Sequence, residues 1–138
     1  MRITQKYLDE LTYQINGCAI EVHRQLDPGL LESVYQKCFN REISLRNFTH
    51  QNEIWVPVEY KGLLLEADLR LDVLVEDLII VELKSIEGIL PVHEAQVLTY
   101  MKLLKKPKGI LINFNCTNIF KEGQKTFVNE YYSNLPKE

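Results

Sequence analysis

The sequence predicts an α/β fold: a central mixed sheet containing an antiparallel three-strand meander, flanked by helices, in the order αβββαβ. Three observations predict it. Apolar residues recur at steps of three and four through the first ~46 residues, the helical period. The period then falls to two across residues 54–60 and 69–75, as half-buried strands require. Finally, two almost wholly apolar runs, Leu78–Lys84 and Gly109–Phe114, lie on either side of a third helical stretch. Such runs suit strands covered on both faces.

Each element has a local cause. Across about residues 4–26, Leu8, Leu11, Ile15, Cys18, Ala19, Val22 and Leu26 share one stripe, the mark of an amphipathic helix. Asp27-Pro28-Gly29 stops it, and Gly29 lets the chain turn. A second helix over about 30–46 carries Leu31, Val34, Tyr35, Cys38 and Ile43 as its expected inward face. His50 falls in the following loop. Ile54, Val56, Val58 and Tyr60 then alternate with other residues up to Lys61-Gly62, a hairpin signal. Leu69, Leu71, Val73 and Val75 form the next strand, and Glu76-Asp77 turns the chain into Leu78–Lys84. Pro91 fits the first turn of a helix over about 91–105, where its missing N–H is not needed. Lys106-Pro107-Lys108-Gly109 ends that helix before the last buried strand, and an edge strand is expected near 126–132.

Composition sets the class. The 138 residues carry 16 Lys and Arg against 19 Asp and Glu, a net charge of −3, with 46% apolar residues. These are globular proportions for one domain over residues 1–138. No apolar run approaches the ~20 residues of a membrane span, and the N-terminus lacks a signal-peptide core, so a cytoplasmic protein without membrane contact is expected. Residues 1–98 hold 9 basic and 16 acidic side chains, and residues 99–138 hold 7 and 3. The basic end includes Lys102, Lys105, Lys106 and Lys108, either a phosphate-tracking ridge or lysines complementing a helix dipole. Cys18, Cys38 and Cys116 lie far apart without any C-x-x-C, which excludes a zinc ribbon and reads as three small buried thiols.

Asp72, Glu82 and Lys84 stand inside apolar strands, where charge is costly unless paired or metal-bound. Glu82 and Lys84 are two apart and share a face. A two-residue loop at Glu76-Asp77 pairs Val75 with Leu78 and turns Asp72 and Glu82 to opposite faces. A three-residue loop, Glu76-Asp77-Leu78, pairs Val75 with Ile79 and sets the two carboxylates opposite each other. Facing like charges repel; a divalent cation reverses the sign, and Mg²⁺ prefers such oxygens with some retained water. The plain alternative is an internal ion pair with Lys84.

Asp72 followed by Glu82-Leu83-Lys84 resembles the signature of the PD-(D/E)XK nucleases, and the αβββαβ order resembles their restriction-endonuclease-like core. Gly29-Leu-Leu-Glu32-Ser-Val-Tyr35 resembles G-x-x-E-x-x-Y, the motif of the small bacterial GxxExxY proteins of that superfamily. Pro91-Val-His93-Glu94-Ala-Gln96 with Tyr100 resembles the block carrying the Q-x-x-x-Y of RecB-like nucleases. The resemblance implies that Asp72, Glu82 and the Leu83 carbonyl hold Mg²⁺ or Mn²⁺, with Glu32 reaching the metal directly or through water. It implies that Lys84 activates water and stabilises charge on the phosphate, with Gln96 and Tyr100 sharing one helix face beside it. Lys102, Lys105 and Lys106 are the expected nucleic-acid contacts. Leu71 replaces the proline of the motif, and Asp68 is a rival ligand.

The remaining candidates have plainer readings. Tyr35 lies on an apolar stripe, its hydroxyl within reach of a site carboxylate. His23 reads as an interfacial or capping histidine, and Glu94 as a first-turn dipole partner. His93 belongs either to the site block or to a helix start. Trp55 reads as core under a helix, with a base-stacking platform as its alternative. No phosphate loop, dinucleotide fingerprint, zinc-protease helix or serine nucleophile elbow is present. The expectation is a metal-dependent nuclease acting on nucleic acid, DNA before RNA, as a homodimer or with a protein partner. The alternative is a non-catalytic nucleic-acid-binding or accessory module of the same fold.

Overall fold

The computed structural model describes residues 2–65 and 69–138. Helix α1 spans Gln5–Leu26, opened by Thr4, whose hydroxyl accepts from the Tyr7 N–H at 3.0 Å. Its stripe of Leu8, Leu11, Ile15, Cys18, Ala19 and Val22 is buried as the spacing predicts. Helix α2 spans Glu32–Leu45 and buries Tyr35, Phe39 and Ile43. The inward face is therefore corrected: Leu31 is the exposed N-cap, Val34 is exposed, and Phe39 takes the place expected for Cys38. Stacking of Tyr35 on Phe114, with ring centroids 4.4 Å apart, sets this rotation of the helix.

The strands are β1 (His50–Trp55), β2 (Val58–Tyr60), β3 (Leu63–Leu65), β4 (Arg70–Val75) and β5 (Ile79–Lys84). Helix α3 (Pro91–Leu104), β6 (Lys108–Asn113), α4 (Ile119–Glu122), β7 (Gln124–Val128) and α5 (Glu130–Ser133) follow. One five-stranded sheet has the order β1-β4-β5-β6-β7. Its pairings are antiparallel except β5–β6, which is parallel and joined through α3. The meander expected from the sequence is thus β1-β4-β5. The strand expected over 54–60 is broken, because Pro57 has no N–H for a ladder. His50 begins β1 instead of lying in a loop, and β2–β3 form a separate hairpin. Its turn is Lys61-Gly62, as expected, both with positive φ (47° and 88°).

The sheet separates two cores. Val73, Val75, Ile79, Val81, Leu83, Ile110 and Ile112 pack against α1 and α2. Leu74, Ile80 and Leu111 pack against Val97, Tyr100 and Met101 of α3. Glu82 stands opposite Leu111 in the parallel register, so it lies on the α3 face. A helix on each side and a parallel β5–β6 step thus leave the ends of β4 and β5 open beside the start of α3. Of the three cysteines only Cys18 is fully buried; Cys38 and Cys116 are partly buried, and all are free.

Candidate active site

The β4–β5 turn decides the site. Glu76 and Asp77 both take positive φ (52° and 56°), and the register pairs Val75 with Ile79 and Val73 with Val81. This is the three-residue loop, and the next residues along the two strands are Asp72 and Glu82. Backbone pairing stops there. The Asp72 N–H donates to Glu82 Oε1 at 2.9 Å, and the Leu83 N–H donates to Asp72 Oδ2 at 2.8 Å. Each carboxylate thus takes an amide of the other strand, where a continued ladder would use carbonyls. The Lys84 carbonyl accepts from the Phe114 N–H just past the end of β6. Strand alternation then turns the Leu83 carbonyl, like its N–H, toward Asp72.

Electrostatics make this pair unlike the rest of the sheet. Burial, and then the charge of Asp72, push the Glu82 carboxyl up to about 8. Asp72 is also raised, by burial first, with Glu53 and Glu32 adding to it; the Leu83 amide and Lys84 pull the other way. Among the described residues no ion pair closes on either carboxylate. The internal ion-pair alternative therefore lacks its contact.

Around this pair stand the other expected residues. Gln96 Nε2 donates to the Tyr100 hydroxyl at 2.9 Å, and Tyr100 is raised by burial and by Glu82 and Asp72. Both residues of the α3 block therefore lie beside the carboxylates. Glu32 opens α2, exposed, where its charge acts on Asp72. Tyr35 does not reach a site carboxylate: its hydroxyl donates to the Asp27 carbonyl at 2.5 Å and accepts from the Leu30 N–H at 3.2 Å. It fixes the turn at Gly29 (φ 113°) that delivers Glu32. Asp68 lies outside the described residues.

Other expectations separate from the site. Lys106 bonds Asp77 at 3.0 Å, in the turn at the far end of β4 and β5, and Lys105 caps the same end of α3. The lysine cluster and the carboxylates therefore occupy opposite ends of the sheet, with Lys102 exposed on the helix between. Lys108 is buried against Asp9 at 2.8 Å. His93 accepts the Leu90 N–H at Nδ1 as a helix cap, Glu94 pairs with Lys125, and His23 bonds the Cys116 carbonyl. Trp55 is 49% exposed, not core, because no helix covers it.

Two residues near the site had no clear sequence signal. Glu53 sits opposite Asp72, between the pairs Asn52–Val73 and Ile54–Leu71, with φ 53°. Ile54 and Leu71 join the α3-side core although Val73 joins the other. The β1–β4 ribbon thus breaks its alternation at Glu53 and Asp72, the kind of strain that clusters at functional sites. Gln36 of α2 donates to the Asp72 carbonyl at 3.2 Å. Polar residues at the kink and on a helix give no periodicity to read.

The donor chemistry fits a hard divalent cation that keeps water. Among the described residues no three His, Cys, Asp or Glu are close enough to enclose an ion. The protein groups that would hold such an ion are Asp72, Glu82 and the Leu83 carbonyl, with Glu32 at one remove, and partial hydration is the habit of Mg²⁺. The carboxyls of Asp72, Glu82, Glu53 and Glu32 outnumber Lys84 in this cluster, a local negative balance for a cation to offset.

Residues 9–127 match the family model of the PD-(D/E)XK nuclease superfamily, and the chain belongs to that superfamily. Its mixed α/β architecture is consistent with the restriction-endonuclease-like fold. Nucleases of this superfamily generally use divalent metals and act on nucleic acid. No curated protein and no solved structure matches the chain. No helix among the described residues is long and apolar enough to cross a membrane.

Proposed function

We propose that this chain is a Mg²⁺- or Mn²⁺-dependent nuclease that hydrolyses phosphodiester bonds of nucleic acid, DNA in the first instance, and that it is one of the GxxExxY proteins. The carrying observation is the opposed, buried pair Asp72 and Glu82, whose side chains end the β4–β5 ladder. When bound, the cation supplies Lewis acidity toward the phosphodiester and the attacking water.

The protein's own groups do the rest. Asp72, Glu82 and the Leu83 carbonyl bind the ion. Lys84, on the Glu82 face, orients the water and offsets charge developing on the phosphate oxygens. Gln96 and Tyr100 hold a donor chain against the carboxylates from α3, and Glu32 adds negative potential from α2. Residues 1–138 act as one domain in this reading.

The test is cleavage of labelled single- and double-stranded DNA in Mn²⁺, Mg²⁺ and EDTA, with Glu82→Ala purified identically. Metal-dependent cleavage lost in the variant supports the enzyme and the site together. Equal cleavage by both proteins, or none by either, overturns the reading.

A further inference from the structure

Beyond the carboxylates the β1–β4 ribbon continues, and what it carries there has no part in the chemistry above. Trp55 pairs with Arg70 across the ribbon. The indole is half open to water, and the Arg70 guanidinium sits over it, 4.8 Å from the ring centroid. Glu53 Oε2 holds Arg70 Nε at 3.1 Å, which keeps the cation over the ring. Five residues on from Trp55, the Tyr60 ring is 62% exposed, with Lys61 5.4 Å from its centroid. Trp55–Arg70 and Tyr60–Lys61 are thus two aromatic–cation pairs in an otherwise acidic half of the chain.

The distance to the site is short. Glu53 stands opposite Asp72, and the Trp55–Arg70 pair lies two residues further along. That is roughly 7 Å of strand, within the reach of one nucleotide.

We propose that Trp55 and Arg70 form a stacking subsite for an unpaired nucleobase next to the scissile phosphate, so that the substrate is single-stranded nucleic acid. The inference rests on the nuclease reading and names its substrate class. Every base offers a π face to an indole, and a cation beside it serves the neighbouring phosphate. Bases inside a duplex are stacked on each other and cannot present that face. Ile54 and Leu71 face α3, so Trp55 and Arg70 stand on the other face of the ribbon, at the same open end of the sheet as the carboxylates. A strand crossing that end sets the phosphate of the stacked nucleotide, or its neighbour, at Asp72 and Glu82.

Trp55 is the only tryptophan in the chain, so its fluorescence reports the subsite directly. The experiment titrates the wild-type protein in Ca²⁺ with an oligothymidylate and with a duplex of equal length. The single strand is expected to quench Trp55 saturably and the duplex not to. Trp55→Ala is expected to weaken anisotropy-measured binding of the single strand by about 5- to 150-fold, the range for loss of one base–aromatic stack. Trp55→Tyr is expected to restore most of it. Absence of quenching, or unchanged affinity in Trp55→Ala, overturns the inference. So does a dimer in which Trp55 is already shielded, since a second copy then covers this face. Quenching without Mn²⁺-dependent cleavage keeps the stacking surface and overturns the nuclease reading; cleavage without quenching does the reverse.

Discussion

Replacing Glu82 by glutamine should stabilise the metal-free protein at alkaline pH while removing its response to metal. The Glu82 carboxyl titrates near 8 in the folded protein against an ordinary 4.5. Between those values the folded state holds a proton that the unfolded chain has released, so the folded state binds more protons. Stability is therefore fully present below about pH 4.5 and is lost as pH rises toward 8. The interval is about 3.5 pH units, and at about 1.4 kcal/mol per unit the loss reaches roughly 5 kcal/mol by pH 9, shared by the Asp72–Glu82 pair. At roughly 2–4 °C per kcal/mol this is a fall of about 10–20 °C in Tm. In Glu82→Gln the amide oxygen still accepts from the Asp72 N–H, and its NH₂ can donate to the Asp72 carboxylate, so the geometry survives and the repulsion does not. Urea unfolding in EDTA from pH 5 to 9 should show the wild type losing stability and the variant nearly flat. Taking the difference between the two proteins cancels the three histidines. In Mn²⁺ at about 100 times its Kd the wild type should gain about 2.7 kcal/mol, and the variant little. Parallel pH curves in EDTA would refute the buried pair, and equal gains in Mn²⁺ would refute the ligand role of Glu82.

Four further outcomes follow from the same geometry. Asp72→Ala removes the acceptor of the Leu83 N–H together with one metal donor, and should abolish the Mn²⁺-induced rise in Tm. Lys84→Met should keep that rise but lower cleavage by at least about 100-fold, the scale of losing one charge-stabilising donor; retained cleavage sinks the role given to Lys84. Tyr35→Phe leaves the ring stacked on Phe114 but frees the Asp27 carbonyl and the Leu30 N–H, and should cost about 1–3 kcal/mol by urea unfolding. In Gly109→Ala the new Cβ meets Val97 Cγ1 at 2.6 Å and Met101 Sδ at 2.8 Å. It should therefore lift α3, cost about 1–3 kcal/mol, and depress cleavage because Gln96 and Tyr100 ride on that helix.

Where one residue type has one structural solution, the sequence could be read. The stripe of α1, the proline at the start of α3, the Lys61-Gly62 turn and the apolar runs of β5 and β6 each leave little choice. Glu82 and Lys84 share a face by parity alone. What parity could not give was the loop length at Glu76–Leu78: two loops were open, and only the pairing of Val75 with Ile79 brings Asp72 to Glu82. The inward face of α2 departs from the sequence expectation because Val34, Tyr35, Cys38 and Phe39 allow two stripes, and the stacking partner that chooses between them, Phe114, is distant in sequence. Trp55 and His50 depart from expectation for a related reason. Alternation marks a strand, but it does not say whether a helix covers the far face or where pairing begins. The lysines near residue 105 are a cluster in sequence, yet the run of α3 carries them away from the site.

The break in the β4–β5 ladder has a consequence for metal affinity. A regular pair at Asp72 and Glu82 would satisfy the strands with backbone carbonyls and leave the two side chains adjacent on one face but free to turn apart by rotamer. Instead each carboxylate accepts an amide from the opposite strand, which fixes their mutual approach, while burial and the charge of Asp72 keep the Glu82 carboxyl protonated at neutral pH. A divalent cation entering this pair must displace that proton, so its apparent affinity should rise with pH up to about 8, where Glu82 ionises unaided, and level off above it. Proton release on Mn²⁺ binding, measured in buffers of different ionisation enthalpy, should approach one per ion at pH 6 and vanish by pH 9. Release near zero at pH 6 would mean that both carboxylates are already ionised, and that the strands are held apart by something other than this pair.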